Sequence, residues 1–485
     1  MSATGETTPE NENRSPAGEW PKHGVSFREA IRTWLYVGLL SFGGPAAQIA
    51  VMHRVVVDEK RWIGEQRFLH ALNFCMLLPG PEAMQLATYI GWLMHRTRGA
   101  LAAGLLFILP GFVCMLALGV LYASSSRYGL VELLFYGVKP AVVAIVVQAV
   151  IRIGGRALPS PAMVAVAGAS FTALFFFRVP FPAVVIGAIL TGLLGAAVWP
   201  ETFKPSTGHK GKVKGSDTHP LLPDDAVLPV SRSPLRAMRV AAVWLIIWFA
   251  PLAIAAALFG PRSVIATSGL FFSKAAVVTF GGAYAVLGYV AQHAPEVGWV
   301  TRGEMLDGLG LAETTPGPLI LVLQFVGHLG CFRHPPMEID GAMLPLTPFW
   351  SGLVGATLAT WMTFAPCFMW IFLGAPHMER LRHNRRLGSA LACVTAAVVG
   401  VVLALALWFA THVFFRASPT PVRFGAARFD LPAWPSFDPW SAGLALLAAY
   451  LIFRLRWGLF AVVGTCVLAG IAVRLVLMVL HWNPD

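Results

Sequence analysis

The sequence predicts an all-α polytopic membrane protein: two inverted-topology repeats with broken helices and about 13 crossings. Three observations predict it. The composition is too apolar for a solvated surface, apolar runs of near-spanning length follow one another along the chain, and one set of short motifs occurs twice at nearly constant spacing.

Hydrophobic residues make up 56% of the 485 residues and charged residues 12%, about half the charged share of a soluble chain. The 32 Phe and 16 Trp suit lipid-facing walls and interfacial belts. The 47 Gly and 35 Pro exceed what ordinary bundles carry but suit broken, closely packed membrane helices. The net charge is +12. Nucleic-acid binding would need that charge gathered on one soluble face. Lys and Arg instead stand between apolar runs, as in cytoplasmic loops. The expected environment is therefore the lipid bilayer, with no nucleic acid as partner.

Apolar runs lie at 30–52, 66–95, 99–122, 129–151, 161–176 and 179–198, then at 237–259, 264–291, 304–332, 347–374, 387–412, 440–453 and 457–480. The 161–176 and 440–453 runs are short for a span. Residues 1–28 are polar and lack the apolar core of a cleavable signal. They read as a disordered tail. The remaining divisions are a first repeat at 29–198, a polar linker at 199–236, an extra helix at 237–259 and a second repeat at 260–485.

The repeat is visible in four markers. Ser41-Phe42-Gly43-Gly44 returns as Thr279-Phe280-Gly281-Gly282, 238 positions on. Trp62 returns as Trp299 and Pro79-Gly80-Pro81 as Pro316-Gly317-Pro318, both 237 positions on. Tyr89-Ile90-Gly91 echoes Phe325-Val326-Gly327 at 236. The extra run at 237–259 makes the number of crossings between the repeats odd, so they are inverted if each broken run crosses once. Loop charge agrees. With the linker inside, loops holding Arg96 and Arg98, Arg152 and Arg156, and Arg380, Arg382, Arg385 and Arg386 are also inside. Loops with Arg127, Arg178, or Glu338 and Asp340 are outside. The N-terminus is then cytoplasmic and the C-terminus periplasmic.

A Pro-Gly-Pro in mid-membrane cannot continue a helix, because proline lacks the N–H and clashes with the preceding turn. A new half-helix starts after it, with Pro81 or Pro318 in its first turn. Its free N–H groups and dipole make an anion site, and two inverted copies bring two such sites toward the midplane. The bland alternative is a packed kink. The flanks differ: half one carries Glu82 and Gln85 after its break, half two Glu313, Thr314 and Thr315 before its own. A carboxylate repels an oxyanion. Either at least one of Glu82 and Glu313 carries a proton when the anion binds, coupling protons to transport, or each caps free N–H groups. The FGG copies are open to two readings, close helix packing or a backbone wall for the anion. They add Ser41, Phe42, Gly43, Gly44, Thr279, Gly281 and Gly282 to the candidates, beside Pro79, Gly80, Pro81, Pro316, Gly317 and Pro318. Half one also has Pro45 and Gln48 where half two has Ala283 and Val286. Lys274 and Lys139 lie inside apolar runs and need a partner or water. Arg54, Lys60, Arg61 and Arg302 read as ordinary loop charge.

No P-loop spacing and no paired metal-ligating histidines occur, so no enzyme activity, cofactor or metal is expected. The six cysteines form no CxxC pair and read as inert thiols.

SFGGPAAQIAVMHR, then W-x-x-x-x-x-F, then LLPGPEAMQLATYIGW resembles the first domain of the chromate ion transporter family. VTFGGAYAVLGYV and AETTPGPLILVLQFVG resemble its second domain. The resemblance covers the chain from about Phe27 onward. It implies a two-domain secondary-active efflux protein of the bacterial inner membrane that expels chromate, confers chromate resistance and is linked to sulfate through the shared tetrahedral dianion. The expected partners are therefore chromate, sulfate as the second substrate, and protons; a homodimer is compatible with the sequence.

Overall fold

Local sequence sets where the helices start. Ser26, Ser160, Ser263, Thr301 and Asp438 stand at N-caps, each accepting a first-turn amide with its side chain. Thr301 and Glu304 form a reciprocal capping box. Proline occupies the first turn of six helices, where its missing N–H costs nothing.

The computed structural model describes residue 20 and residues 23–125, 130–199, 202–203, 220–222, 233–280, 283–337, 344–377, 385–417, 420–425 and 427–479. Most of the N-terminal tail and of the 199–236 linker lies outside them, as do Gly281, Gly282, Arg127, Glu338, Asp340, Arg380 and Arg382. Half one contains α1 (Phe27–Leu40), α2 (Gly44–His53), α3 (Glu65–Cys75), α4 (Glu82–Ser125), α5 (Leu130–Ala157), α6 (Pro161–Phe175) and α7 (Phe181–Val198). α8 (Pro234–Phe259) follows alone. Half two contains α9 (Val264–Val278), α10 (Ala283–Glu296), α11 (Arg302–Thr314), α12 (Val322–Arg333), α13 (Pro348–Gly374), α14 (Arg385–Phe414), α15 (Pro439–Phe453) and α16 (Leu459–Val479). The protein is all-α and polytopic, as expected. Among the described residues, seven helices are long and apolar enough to cross a membrane. A small antiparallel pair between α14 and α15, β1 (Thr420–Phe424) and β2 (Ala427–Leu431), was not expected.

The broken runs do not cross once; they fold back. Lys60 Nζ donates to Glu29 Oε1 at 3.1 Å, although the two are 31 residues apart, a distance of about 47 Å along a straight helix. Trp34 of α1 also meets Trp62 beyond α2, with ring centroids 6.3 Å apart. α1 and α2 are thus the arms of a hairpin. In the same way Phe74 of α3 meets Tyr89 of α4 at 5.6 Å. Phe271 of α9 meets Tyr289 and His293 of α10 at 4.8 and 4.4 Å. Arg333 at the end of α12 forms a two-pronged ion pair with Glu304 at the start of α11.

The runs at 30–52, 66–95, 264–291 and 304–332 are therefore re-entrant hairpins, and the expected count of about 13 crossings falls. The seven long helices, with the 15-residue α6 and α15, are the segments left to cross. The sequence misled because Ser-Phe-Gly-Gly and Pro-Gly-Pro are compatible with either a broken span or a reversal. The linker corroborates the correction. Leu222 N–H donates to Trp62 O at 3.0 Å, so the loop after α2 lies at the linker's end of the molecule. One crossing through 30–52 would have put it at the other end.

Glycine allows the first hairpins to pack on the crossing helices. α4 turns at His95 and Arg96, where the backbone leaves helical geometry. Gly91 and Gly99 then face each other so closely that a Cβ on Gly99 would stand 2.1 Å from Gly91 O. The second half repeats this, with Gly327 against Gly355 at 2.9 Å from its carbonyl oxygen. The halves also exchange packing: α14 lies against α6 and α7 of half one, and α5 against α15 and α16 of half two. Order in the described residues begins before position 29, because the Trp20 indole donates to Leu93 O at 2.9 Å and Ser26 caps α1.

Two outcomes test this architecture. Cysteines placed at Glu29 and Lys60 should react with an impermeant thiol reagent from the same side of the membrane; labelling from opposite sides would restore the single crossing. Gly99→Val should lower thermal stability in detergent by about 1–3 kcal/mol or more through overpacking. Gly155→Ala, at a glycine with nothing within 4 Å of its added Cβ, should change it by less than about 0.5 kcal/mol.

Candidate functional site

The four hairpin tips carry the repeated motifs, and the structure joins them across the halves. Gly80 N–H donates to Thr279 O at 2.7 Å, so the first Pro-Gly-Pro meets the second FGG tip. Gly317 N–H donates to Ser41 O at 2.7 Å, so the second Pro-Gly-Pro meets the first. These are one bond repeated by pseudo-symmetry. Gly80 packs toward Cys367 of α13, and Gly317 toward Gly111 of α4. Those positions follow Pro366 and Pro110, which lie inside their helices. Gly43, Gly80 and Gly317 have φ of 79°, 122° and 92°, and Gly44 has 78°, left-handed values that side chains resist.

α2, α4 and α10, together with a 3-10 turn at Leu319–Leu321 that leads into α12, all begin at these tips. The first helical bond of α4 runs from Gln85 N–H to Pro81 O. Helix geometry then leaves the amides of Glu82, Ala83 and Met84 without an intrahelical acceptor. The positive ends of four helices thus converge on one region. The amides of Gly80 and Gly317 are not part of this donor set, because the opposite half already takes them. That limits the expectation of free N–H groups at the breaks to the first turns beyond them.

Each predicted residue within the described segments has a definite place; Gly281 and Gly282 lie outside them. Ser41 Oγ donates to Val37 O at 2.6 Å and Thr279 Oγ1 to Ala275 O at 2.5 Å, closing the ends of α1 and α9. Thr314 donates to Gly310 O and Thr315 to Ala312 O. The hydroxyl protons of all four are thus spent on their own helices. Phe42 stacks edge-on against Phe460 of α16 at 4.9 Å. Gln85 Nε2 donates to Pro79 O at 2.7 Å, while its buried Oε1 has no partner. Gln48 crosses to the second break, with Nε2 donating to Gly317 O at 2.7 Å. Position 286 is valine, so the partner break has no such donor from α10.

The two carboxyls differ in setting. Glu313 is 2% exposed and accepts from Tyr284 OH at 2.5 Å. The Tyr284 hydroxyl also lies near Gly44, 3.9 Å from where a Cβ would be. Glu82 is half-buried. Pro79, Phe42 and Gly43 are half-buried as well, whereas Pro316, Gly317 and Pro318 are buried. Lys274 is exposed on α9 and is not drawn into the tips. Lys139 pairs instead with Asp307, its Nζ 3.4 Å from Oδ1. The positive charge that does reach the tips was read from the sequence only as loop charge. Arg152 acts on Glu313 and Tyr284, and Arg156 on Glu82. Both sit on the last turns of α5. No motif marks them; only the fold places that helix end near the tips.

The chromate transporter family matches residues 28–195 and 266–471, once for each half. The chain belongs to the chromate transporter family. A chromate transport protein of Pseudomonas aeruginosa is 32% identical over 388 residues, 78% of this chain and 80% of its own. One from Cupriavidus metallidurans is 26% identical over 383 residues, covering 78% of this chain and 81% of its own. The uncharacterized transporter YwrB of Bacillus subtilis is 27% identical over 155 residues, 32% of this chain but 75% of its own length. No solved structure matches the chain. Within the family fold seen here, the tip contacts all lie inside the two matched regions.

Gly80→Ala should lower thermal stability by about 1–3 kcal/mol, since it combines backbone strain with a Cβ contact. That Cβ would stand 2.8 Å from Cys367 Sγ. Gly43→Ala, whose nearest neighbour would be 3.6 Å away, should cost only the strain, about 1 kcal/mol. Equal melting shifts for the two would argue against the tight tip packing.

Proposed function

We propose that this protein exports chromate across the bacterial inner membrane, with the anion passing the four hairpin tips. The tip-to-tip bonds carry this reading, together with relatives named chromate transport proteins. They bring four helix starts into one region with no lysine or arginine inside it among the described residues. Such a site attracts a dianion through partial charges and can let it go. Arg152 and Arg156 add full charges at its edge.

The halves are inverted in this reading. Four crossing segments in half one and α8 put the second pair of hairpins on the opposite side from the first. The linker and the Arg54–Arg61 loop are cytoplasmic, as is the N-terminus, and the C-terminus is periplasmic. The proposed units keep the two repeats at 29–198 and 260–485.

A dianion leaving a cell held at −100 mV gains roughly 4.6 kcal/mol. That energy supports a gradient of about a thousandfold. Protonation of Glu82 or Glu313 would lift the repulsion at the tips and add a proton to the exchange. Resistance to chromate follows from export. Sulfate has the same shape and charge and is the competing substrate. Its uptake would have to work against the potential with several coupled cations.

The test is radiolabelled chromate flux into inverted membrane vesicles, with an imposed potential, with and without a proton gradient and with excess sulfate. Potential-driven accumulation supports export; uptake only in right-side-out vesicles overturns it. Arg152→Gln should lower chromate flux at low salt about three- to tenfold, with the difference shrinking as ionic strength rises. Gln at both Glu82 and Glu313 should remove any pH dependence that arises at the tips. An unchanged pH profile would separate those carboxyls from coupling.

A further inference from the structure

A second carboxyl–phenol pair lies on α11, away from the tips. Asp307 is 3% exposed, and its Oδ2 accepts from Tyr122 OH of α4 at 2.8 Å. Its other oxygen, Oδ1, is buried and has no hydrogen bond. The ammonium of Lys139 on α5 stands 3.4 Å from it, beyond the roughly 2.7–2.9 Å of a charge-assisted hydrogen bond. The Lys139 side chain is 28% exposed, and Arg302 and Glu304, at the start of α11 one turn away, are exposed and half-buried. We propose that Asp307 is a proton-binding site of the transport cycle, loaded from the end of the molecule at which α11 begins.

The geometry supports a titrating group rather than a scaffold bond. A buried ion pair holds a fold well only when its geometry is tight and its remaining lone pairs are satisfied. Here the pair is loose and one oxygen is orphaned. A proton added at Oδ1 converts the carboxylate to the neutral acid and gives that atom its missing hydrogen. Lys139 keeps its charge and loses its counter-ion. The neighbouring charges are already committed. Glu304, one turn earlier on α11, is held by Arg333 of α12. Arg302 at the start of α11 meets His412 of α14 at 3.1 Å. Asp307 and Lys139 are left as the pair whose charge can change within the cluster.

Placement supplies the coupling. Asp307 and Glu313 lie on one helix, about 9 Å apart along its axis. Each carboxyl is held by a tyrosine from another element, Tyr122 or Tyr284. Asp307 lies toward the helix start and Glu313 beside the tip. The repeat does not duplicate the arrangement, since the position 237 earlier is His70 and that of Glu304 is Arg67. A bond that only supported the shared fold would be expected in both halves.

The inference rests on the transport reading above. On that reading α11 begins at the periplasmic end, so a proton entering at Asp307 moves inward as chromate leaves. The protein is reconstituted in liposomes, and chromate flux is driven either by a potential or by a pH difference. Wild type should respond to both. In Asp307→Asn the ratio of pH-driven to potential-driven flux should fall about tenfold, the factor that one pH unit supplies. Tyr122→Phe keeps the shape and guards against a misfolded Asp307 variant. It should move the midpoint of the pH profile upward by about half a unit, because the charged form loses a donor. Asp307→Asn with an unchanged ratio, an unmoved midpoint in Tyr122→Phe, or a Lys139→Gln, Asp307→Asn double variant that regains wild-type pH-driven flux would overturn the inference. A wild type that responds to potential but not to pH would also overturn it, and would leave the transport reading standing. A wild type that carries no chromate under either force would remove both.

Discussion

A backbone reversal inside a bilayer leaves polar groups that no water can satisfy, and this constraint organises the molecule. Four hairpins end in such reversals. Each unsatisfied amide or carbonyl would cost several kcal/mol in hydrocarbon. The chain answers by setting tips against each other: Gly80 N–H on Thr279 O, and Gly317 N–H on Ser41 O. The hydroxyls of Ser41, Thr279, Thr314 and Thr315 then close the helix ends that lead into the tips. What reads in isolation as a row of possible ligand hydroxyls is largely the means by which broken helices survive in lipid.

The same bonds explain why two halves are needed in one molecule. Neither half can satisfy its own tips in this arrangement, because each donor finds its acceptor in the other. The exchange extends outward, with α14 packed on α6 and α7 and α5 on α15 and α16. Relatives such as YwrB, which match about a third of this chain over most of their own length, are about one repeat long. The two copies in this chain differ at corresponding positions. Gln48 bonds Gly317 O while its counterpart is valine, and Glu313 lies before its break while Glu82 lies after the other.

Much of this was legible in the sequence. The paired motifs located all four tips, and the apolar runs located every long helix. What the sequence hid was direction. Ser-Phe-Gly-Gly and Pro-Gly-Pro say that a helix stops, not whether the next one continues or returns. The deciding contacts, Glu29 with Lys60 and Glu304 with Arg333, join residues about thirty positions apart and leave no local signature. The charges at the site were hidden for a similar reason. Lys139 was visible as costly, but its partner Asp307 sits on a helix of the other half. Arg152 and Arg156 looked like loop residues because the apolar run ends at 151, yet α5 continues to Ala157. The β1–β2 pair is ten residues of mixed character without an apolar run, too short to stand out beside the membrane pattern.

On the proposed reading that the anion passes the tips, the arrangement of charge also bears on how it can pass and not merely bind. A lysine or arginine at the tips, desolvated in a low dielectric, would hold a dianion strongly enough to trap it. Helix starts carry only about half a charge each. Their field falls off within a turn, so a small separation of the tips is enough to release the ion. The full charges, Arg152 and Arg156, stand on the final turns of α5 and act on Glu313 and Glu82 from there. Attraction from the edge raises the local concentration of anion without deepening the site itself. Glu313, buried and held by Tyr284, can oppose the ion or, once neutral, stop opposing it. Switchable repulsion beside weak, fixed attraction suits transport better than a tight anion site, because neutralising the carboxyl admits the ion and restoring its charge drives the ion out.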